Sequence, residues 1–181
     1  FLNIMHRALF LDRDGIINID LKYVGKIENF VFEKGIFDLV KSANFFSYKV
    51  IVVTNQSGIG RGFYSEKDFF LLTKWMKEQF ALNDGYIDKV YFCPHHPKFG
   101  INKYKKKCNC RKPNPGMILK ACEEFNLSLK ESIFLGDNIT DMQAGISAGV
   151  GTLLLKNKTK YSECINISNN LEAIKYLRNS T

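Results

Sequence analysis

Short apolar runs alternate along this chain with longer stretches in which apolar residues recur every three or four positions. The runs ALFL (8–11), VIVV (50–53), KVYF (89–92), SIFLG (132–136) and GTLLL (151–155) are brief and bounded by polar or turn residues. That is the pattern of strands buried on both faces. Helical periodicity covers 36–46, 66–82, 117–125 and 140–148. Buried strands alternating with helices predict an α/β fold built on a doubly wound, mainly parallel sheet. Residues 157–181 are polar and read as a strand followed by a terminal helix. No repeat, low-complexity tract or linker interrupts the pattern. One domain spanning 1–181 is therefore expected, with an elaborated loop at 93–110 inserted in it.

Composition narrows the class. At 181 residues and 45% hydrophobic, the chain can bury a real core and is neither disordered nor fibrous. No apolar run reaches bilayer length, so no membrane partner is expected. The opening FLNIMHRALFLD has a short apolar part and no small-residue cleavage site, which argues against a secretory signal. Five cysteines, an odd number, then fit a reducing cytoplasm better than a disulfide framework. Cys122 and Cys164 read as packing residues. No spare amphipathic stripe is evident, so a monomer is expected. The formal charge of +8 favours an anionic partner. Much of it is local, in Lys103, Lys105, Lys106, Lys107, Arg111 and Lys112. The run from Lys103 to Lys107 reads as a solvated loop.

In an open α/β sheet, ligands bind beyond the carboxyl ends of the strands. Asp12-Arg13-Asp14-Gly15 follows the first run, Thr54-Asn55-Gln56-Ser57-Gly58 the second, and Asp137-Asn138-Ile139-Thr140-Asp141 the fourth. Arg111 and Lys112 supply cations just before a helix. Acids at Asp12, Asp14 and Asp137 would repel one another without a cation, and hard oxygen ligands at that density suit Mg²⁺. Asp12, first after its strand, is placed to act as a nucleophile that forms an aspartyl-phosphate. Asp14 is placed to act as a general acid and base. Thr54 and Asn55 offer donors to phosphoryl oxygens, and Lys112 neutralises charge that builds there. SGIGRG (57–62) is one residue short of a dinucleotide fingerprint and reads as a tight loop requiring positive φ, with Arg61 at the surface.

The loop CPHHPKFGINKYKKKCNC holds Cys93, Cys108 and Cys110, with His95 and His96 adjacent to each other. Three thiols and one imidazole match a closed tetrahedral zinc site, which is structural rather than catalytic. Local chemistry does not choose between the two histidines. Crosslinking the loop's ends would fix Arg111 and Lys112, which follow Cys110 directly.

These residues, taken together, resemble the haloacid dehalogenase superfamily of phosphohydrolases. Its four motifs appear in order as Asp12-x-Asp14, Thr54, Lys112, and Gly136-Asp137 with Asp141. DRDG followed by IN, then TNQSGIGRG, CPHHP and CNCRKPNPGM, resembles the group of heptose-bisphosphate phosphatases and histidinol-phosphatases. The resemblance implies a phosphoaspartate mechanism acting on a small phosphorylated sugar, a heptose bisphosphate at its 7-phosphate, with histidinol phosphate as the alternative. It implies catalytic Mg²⁺ at Asp12, Asp14 and Asp137, with Asp14 contributing its backbone carbonyl. It also implies structural Zn²⁺ at Cys93, His95, Cys108 and Cys110, and short loops in place of a large cap domain. Substrate contacts then fall on Asp20, Lys22, Tyr23, Thr54, Asn55, Gln56, Ser57, Arg111, Lys112 and Asn138. Two departures touch specificity. Many members have Lys where this chain has Asn138, and His-Gly where it has Leu21-Lys22.

Other classes fit less well. In signalling receiver domains the phosphorylated Asp follows a later strand than the acid pair; here the pair follows the first. A non-catalytic zinc module for nucleic acid leaves the acids unexplained. A DNA 3′-phosphatase is favoured only by the charge, and no stacking platform is evident near the acids, so no nucleic-acid partner is expected.

Overall fold

A computed structural model describes residues 5–178; the ends of the N-terminal segment and of the polar tail lie outside them. The described residues form a six-stranded sheet of β1 (Ala8–Leu11), β2 (Lys49–Asn55), β3 (Lys89–Cys93), β4 (Ile133–Gly136), β5 (Thr152–Leu155) and β6 (Ile165–Asn166). The order is β3-β2-β1-β4-β5-β6, and each neighbouring pair is parallel. This is the doubly wound sheet expected from the alternating pattern. β1 sits near the middle, with Leu9 opposite Val50 on one side and Ile133 on the other.

Side-chain alternation explains why the strands are apolar throughout. Leu9, Leu11, Val50, Val52, Ile133 and Leu135 point to one face. Ala8, Phe10, Ile51, Val53 and Phe134 point to the other. The first face is covered by α1 (Ile36–Phe45), α3 (Glu66–Leu82) and α6 (Asn170–Arg178). The second is covered by α4 (Gly116–Phe125) and α5 (Ile139–Ala148). Cys122 and Cys164 pack against this second cluster. No helix among the described residues is long and apolar enough to cross a membrane.

One local expectation is corrected. SGIGRG contains a four-residue helical turn, α2 (Ser57–Gly60), and of its glycines only Gly62 has positive φ, at 79°. The other two are glycine for want of room. A Cβ on Gly60 would stand 2.3 Å from the Pro94 carbonyl oxygen, and one on Gly58 2.4 Å from the Tyr64 ring. Close approach, rather than backbone twist, sets those positions.

Candidate active site

Asp12 follows β1 directly, and its N–H donates to the Leu135 carbonyl at 3.1 Å, which ties it to β4. Asp137 follows β4. Asp141 lies one turn into α5, and a capping box turns its carboxylate back: Asp141 Oδ2 accepts from the Asn138 N–H at 3.0 Å while Asn138 Oδ1 accepts from the Thr140 N–H at 3.1 Å. Oxygens of Asp12, Asp137 and Asp141 come within 4.8 Å of one another. Gly15 leaves the space they share, since a Cβ there would stand 2.0 Å from Asp137 Oδ2, and its φ is +84°.

Lys112 is the cation inside this group and is only 3% exposed. Its Nζ lies 2.9 Å from Asp12 Oδ1 and 2.7 Å from Asp141 Oδ1, and donates to the Val53 carbonyl at 2.8 Å. Burial opposes the Lys112 charge, but Asp12 and Asp141 outweigh it and hold the ammonium above its ordinary value. Asp12 goes the other way. Burial pushes its carboxyl up, Lys112 pulls it down, and Asp141 and Asp137 push it up again. Burial also raises Asp137, with Asp141 adding, to about 6. One ammonium does not balance three packed carboxyls. Three hard oxygen donors around a space kept open by glycine fit a divalent cation.

The Asp14 carboxylate stands outside this group. It accepts from Arg13 Nη2 at 3.0 and 3.1 Å, from Asn18 Nδ2 at 3.0 Å and from Gln56 Nε2 at 2.8 Å. Arg13 is 1% exposed, and its guanidinium sits 5.9 Å from the ring centres of both Phe30 and Phe69. Gln56 also donates to Thr54 Oγ1 at 2.8 Å, and its carbonyl accepts from the Tyr64 hydroxyl at 2.5 Å. Asn55 and the Lys112 backbone bond reciprocally, at 3.1 and 3.0 Å. The amides of Asn55 and Gln56, read from sequence as substrate contacts, are thus engaged by the protein itself.

A cleft opens over these groups. Its outer part, of about 500 Å³, is lined by Asp20, Lys22, Tyr23, Ser57 and Tyr64 among others. Its inner part, of about 310 Å³, reaches Asp12, Lys112 and Asp137. Asp14, Asp20, Asn55, Arg111 and Asn138 border both. Lys22 and Tyr23 lie in a turn with φ of 60° and 56°, held by Asp20 Oδ1 accepting from the Lys22 N–H at 2.9 Å. Arg61 belongs to the rim: it donates to the Tyr23 hydroxyl and lies 4.6 Å from the Phe99 ring centre.

Beside the cleft, Cys93, His95, Cys108 and Cys110 form a second group able to hold a metal. Cys110 Sγ lies 3.1 Å from Cys93 Sγ, 3.2 Å from Cys108 Sγ and 3.4 Å from His95 Nδ1. The hydrogen bond between Cys93 and Cys110 holds the Cys110 thiol below its ordinary value and, with burial, raises Cys93. Such a concentration of sulfur lone pairs around one point suits a borderline-soft cation. The structure distinguishes the two histidines. His96 Nδ1 accepts from the N–H groups of Lys98 and Phe99, at 3.2 and 3.1 Å, and faces away into the loop. Arg111 is held from this side, donating to the His95 carbonyl at 3.1 Å.

Comparison with known proteins places this geometry. Residues 109–168 match the HAD-hydrolase-like family model. A D-glycero-alpha-D-manno-heptose-1,7-bisphosphate 7-phosphatase from Burkholderia mallei is 59% identical over 83% of this chain and 79% of that protein. The chain belongs to the heptose-1,7-bisphosphate 7-phosphatase family. It is thereby a phosphoric monoester hydrolase of the haloacid dehalogenase superfamily. A Vibrio cholerae relative named for the beta anomer is 47% identical over 82% of this chain and 80% of that protein. The fold agrees with a solved D,D-heptose 1.7-bisphosphate phosphatase from B. bronchiseptica, described as complexed with magnesium and phosphate. That structure has a TM-score of 0.83 at 24% identity and covers 97% of this chain and 99% of its own.

Asn138 and Lys22, singled out above by the resemblance, both line the cleft. Asn138 is the N-cap of α5, exposed where inner and outer parts meet. Lys22 lies on the outer turn, far along the chain from Asn138 yet facing the same space. Sequence reasoning assigned no site role to Arg13, Asn18, Tyr64 or Asp141. Asp141 was visible as part of a motif and Arg13 as the residue between two acids. Nothing in the local sequence singles out Tyr64.

Proposed function

We propose that this protein removes the 7-phosphate of D-glycero-α-D-manno-heptose 1,7-bisphosphate through an aspartyl-phosphate on Asp12. The observation that supports the chemistry is the buried contact of Lys112 with both Asp12 and Asp141, at 2.9 and 2.7 Å. It holds a nucleophilic carboxylate rigidly at the end of a central strand. Asp12 Oδ1 accepts from Lys112 and from the Arg13 N–H at 2.7 Å, so Oδ2 is the oxygen offered to phosphorus. As the Asp12–phosphorus bond forms, the bond to the sugar oxygen breaks, and Asp14 delivers a proton to that oxygen. Asp14 then takes a proton from the water that attacks the phosphoaspartate, freeing phosphate and restoring Asp12. Thr54 and the Lys112 ammonium stabilise the phosphoryl oxygens.

Mg²⁺ would be held by Asp12, Asp137 and Asp141, with the Asp14 carbonyl as a further donor, and would supply positive charge that keeps Asp12 ionised beside an anionic substrate. Zn²⁺ would be held by Cys93, His95, Cys108 and Cys110 as a closed structural site. In the outer cleft, Lys22, Arg111 and Asn138, with Asp20, Tyr23 and Ser57, are the candidates for the sugar and its second phosphate. The α anomer is favoured because the relative named for it is 59% identical, against 47% for the relative named for the β anomer. The product then suits a pathway that builds nucleotide-activated heptose.

The test is magnesium-dependent phosphate release from the two anomers of heptose 1,7-bisphosphate and from histidinol phosphate. The α anomer should give the highest kcat/KM, and Asp12→Asn should abolish release. Turnover undiminished in Asp12→Asn would sink the mechanism, and preference for histidinol phosphate would sink the substrate.

A further inference from the structure

Gln56 borders the cleft, yet it is only 2% exposed. Its Nε2 donates to Asp14 Oδ2 and to Thr54 Oγ1, both at 2.8 Å, and its Oε1 accepts from the Tyr64 hydroxyl at 2.5 Å. Tyr64 is the outer anchor. Its ring occupies a slot between Gly25, in the loop after β1, and Gly58, in α2; a Cβ on either would stand 2.4 Å from the ring. Burial pushes the Tyr64 hydroxyl up to about 12, so it stays a donor through the neutral range. A donating hydroxyl sets the amide's orientation, carbonyl toward Tyr64 and NH₂ toward Asp14 and Thr54. The flipped amide would turn its carbonyl onto a carboxylate.

We infer that Gln56, oriented by Tyr64, is a positioning residue that aims the Asp14 carboxyl at the leaving oxygen and makes no contact with substrate itself. The inference rests on the phosphatase reading above. In the step concerned, an Asp12 oxygen bonds to phosphorus and the phosphorus–oxygen bond to the leaving group breaks. The electron pair stays on the departing oxygen, which receives the Asp14 proton. A sugar alkoxide leaves poorly without that proton, whereas a nitrophenolate leaves readily. A badly aimed Asp14 therefore penalises the sugar ester far more than an aryl ester. The contrast belongs in kcat/KM, which reports the steps up to the first irreversible one and so excludes later hydrolysis of the phosphoaspartate.

Gln56→Leu removes both amide functions at similar volume, and Tyr64→Phe keeps the ring while removing the hydroxyl. Each is assayed with heptose 1,7-bisphosphate and with 4-nitrophenyl phosphate in magnesium. For Gln56→Leu, kcat/KM on the sugar ester should fall about 30- to 100-fold, as general-acid assistance is worth roughly 10²–10⁴-fold. The fall on the aryl ester should be at least about tenfold smaller. Tyr64→Phe should show the same contrast at lower amplitude. Equal falls on both esters would overturn the inference, because lost folding or lost phosphate binding acts on both alike. Wild-type protein inert on both esters would remove the phosphatase reading as well; wild-type turnover with equal falls would remove this inference alone.

Discussion

Replacing Lys112 with Met tests the arrangement at its centre. The substitution leaves Asp12 and Asp141 facing each other at buried positions and takes the donor from the Val53 carbonyl, which Lys112 meets at 2.8 Å. Deleting one partner of a buried ion pair costs about 3–5 kcal/mol, mostly through the charge left behind. In a chain of this length each kcal/mol moves Tm by roughly 2–4 °C, so a fall of roughly 6–20 °C is expected. The pH dependence has a definite sign. The folded Lys112 pKa is raised, so its contribution is complete below the unfolded lysine value and is lost only in strong alkali. The variant removes the downward pull of Lys112 on Asp12, whose carboxyl is already pushed up by burial, and so binds protons more readily folded than unfolded. Its stability therefore rises as pH falls from 7 toward 5, and the deficit narrows. Adding Asp141→Asn to Lys112→Met removes one orphaned charge and should recover about 1.5 kcal/mol or more, within the usual range of couplings between contacting groups. Urea unfolding can be followed through Trp75, the chain's single tryptophan, which packs against Phe30 and Phe32. A loss below about 1 kcal/mol, or a double variant additive to within about 0.5 kcal/mol, would refute the reasoning.

Two further outcomes follow from neighbouring features. Cys108→Ala should release bound zinc, lower Tm and raise KM roughly five- to tenfold with a much smaller change in kcat, because Arg111 loses its mooring on the His95 carbonyl while Lys112, tied to Asn55, Val53 and Asp12, keeps its own; unchanged zinc content with unchanged KM in a metal assay and steady-state kinetics would sink the clamp. Gly58→Ala places a methyl group 2.4 Å from the Tyr64 ring and should cost about 1–3 kcal/mol in urea unfolding; a neutral substitution would mean that the slot has room to spare.

The strands and main helices were legible because buried parallel strands need unbroken apolar runs and covering helices need a periodic stripe. Ala8–Leu11 and Glu66–Leu82 coincide with the expected bounds, and the other elements differ only at their ends. β2 ran longer than its apolar run because Thr54 and Asn55 still pair with Phe92 and Cys93 of β3. The acids at strand ends could be found from position alone. What remained hidden depends on contacts across the chain. The α2 turn was obscured because glycine signals flexibility locally, whereas Gly58 and Gly60 are small to admit Tyr64 and the Pro94 carbonyl. Gln56 looked like a ligand contact because an amide after a strand usually faces the cleft, and only the Tyr64 and Asp14 bonds show it turned inward. Asp141 stood in a motif, but its carboxylate's place beside Asp12 shows only in the fold, where the capping box turns it back and Lys112 bridges the two.

The central place of β1 also sets the order in which the molecule can be completed. β1, β2 and β3 have all been synthesised by Cys93, but the second neighbour of β1 begins only at Ile133. The Ala8 N–H, for example, waits for a hydroxyl 124 positions along the chain. Until residues 94–132 have followed, one edge of a fully apolar strand carries unpaired backbone groups. Such an edge is a template for pairing with another chain. The catalytic arrangement and the protection of this edge thus arrive together with β4. A ribosome stalled before that point holds both an aggregation hazard and an Asp12 with no partners from β4 or α5.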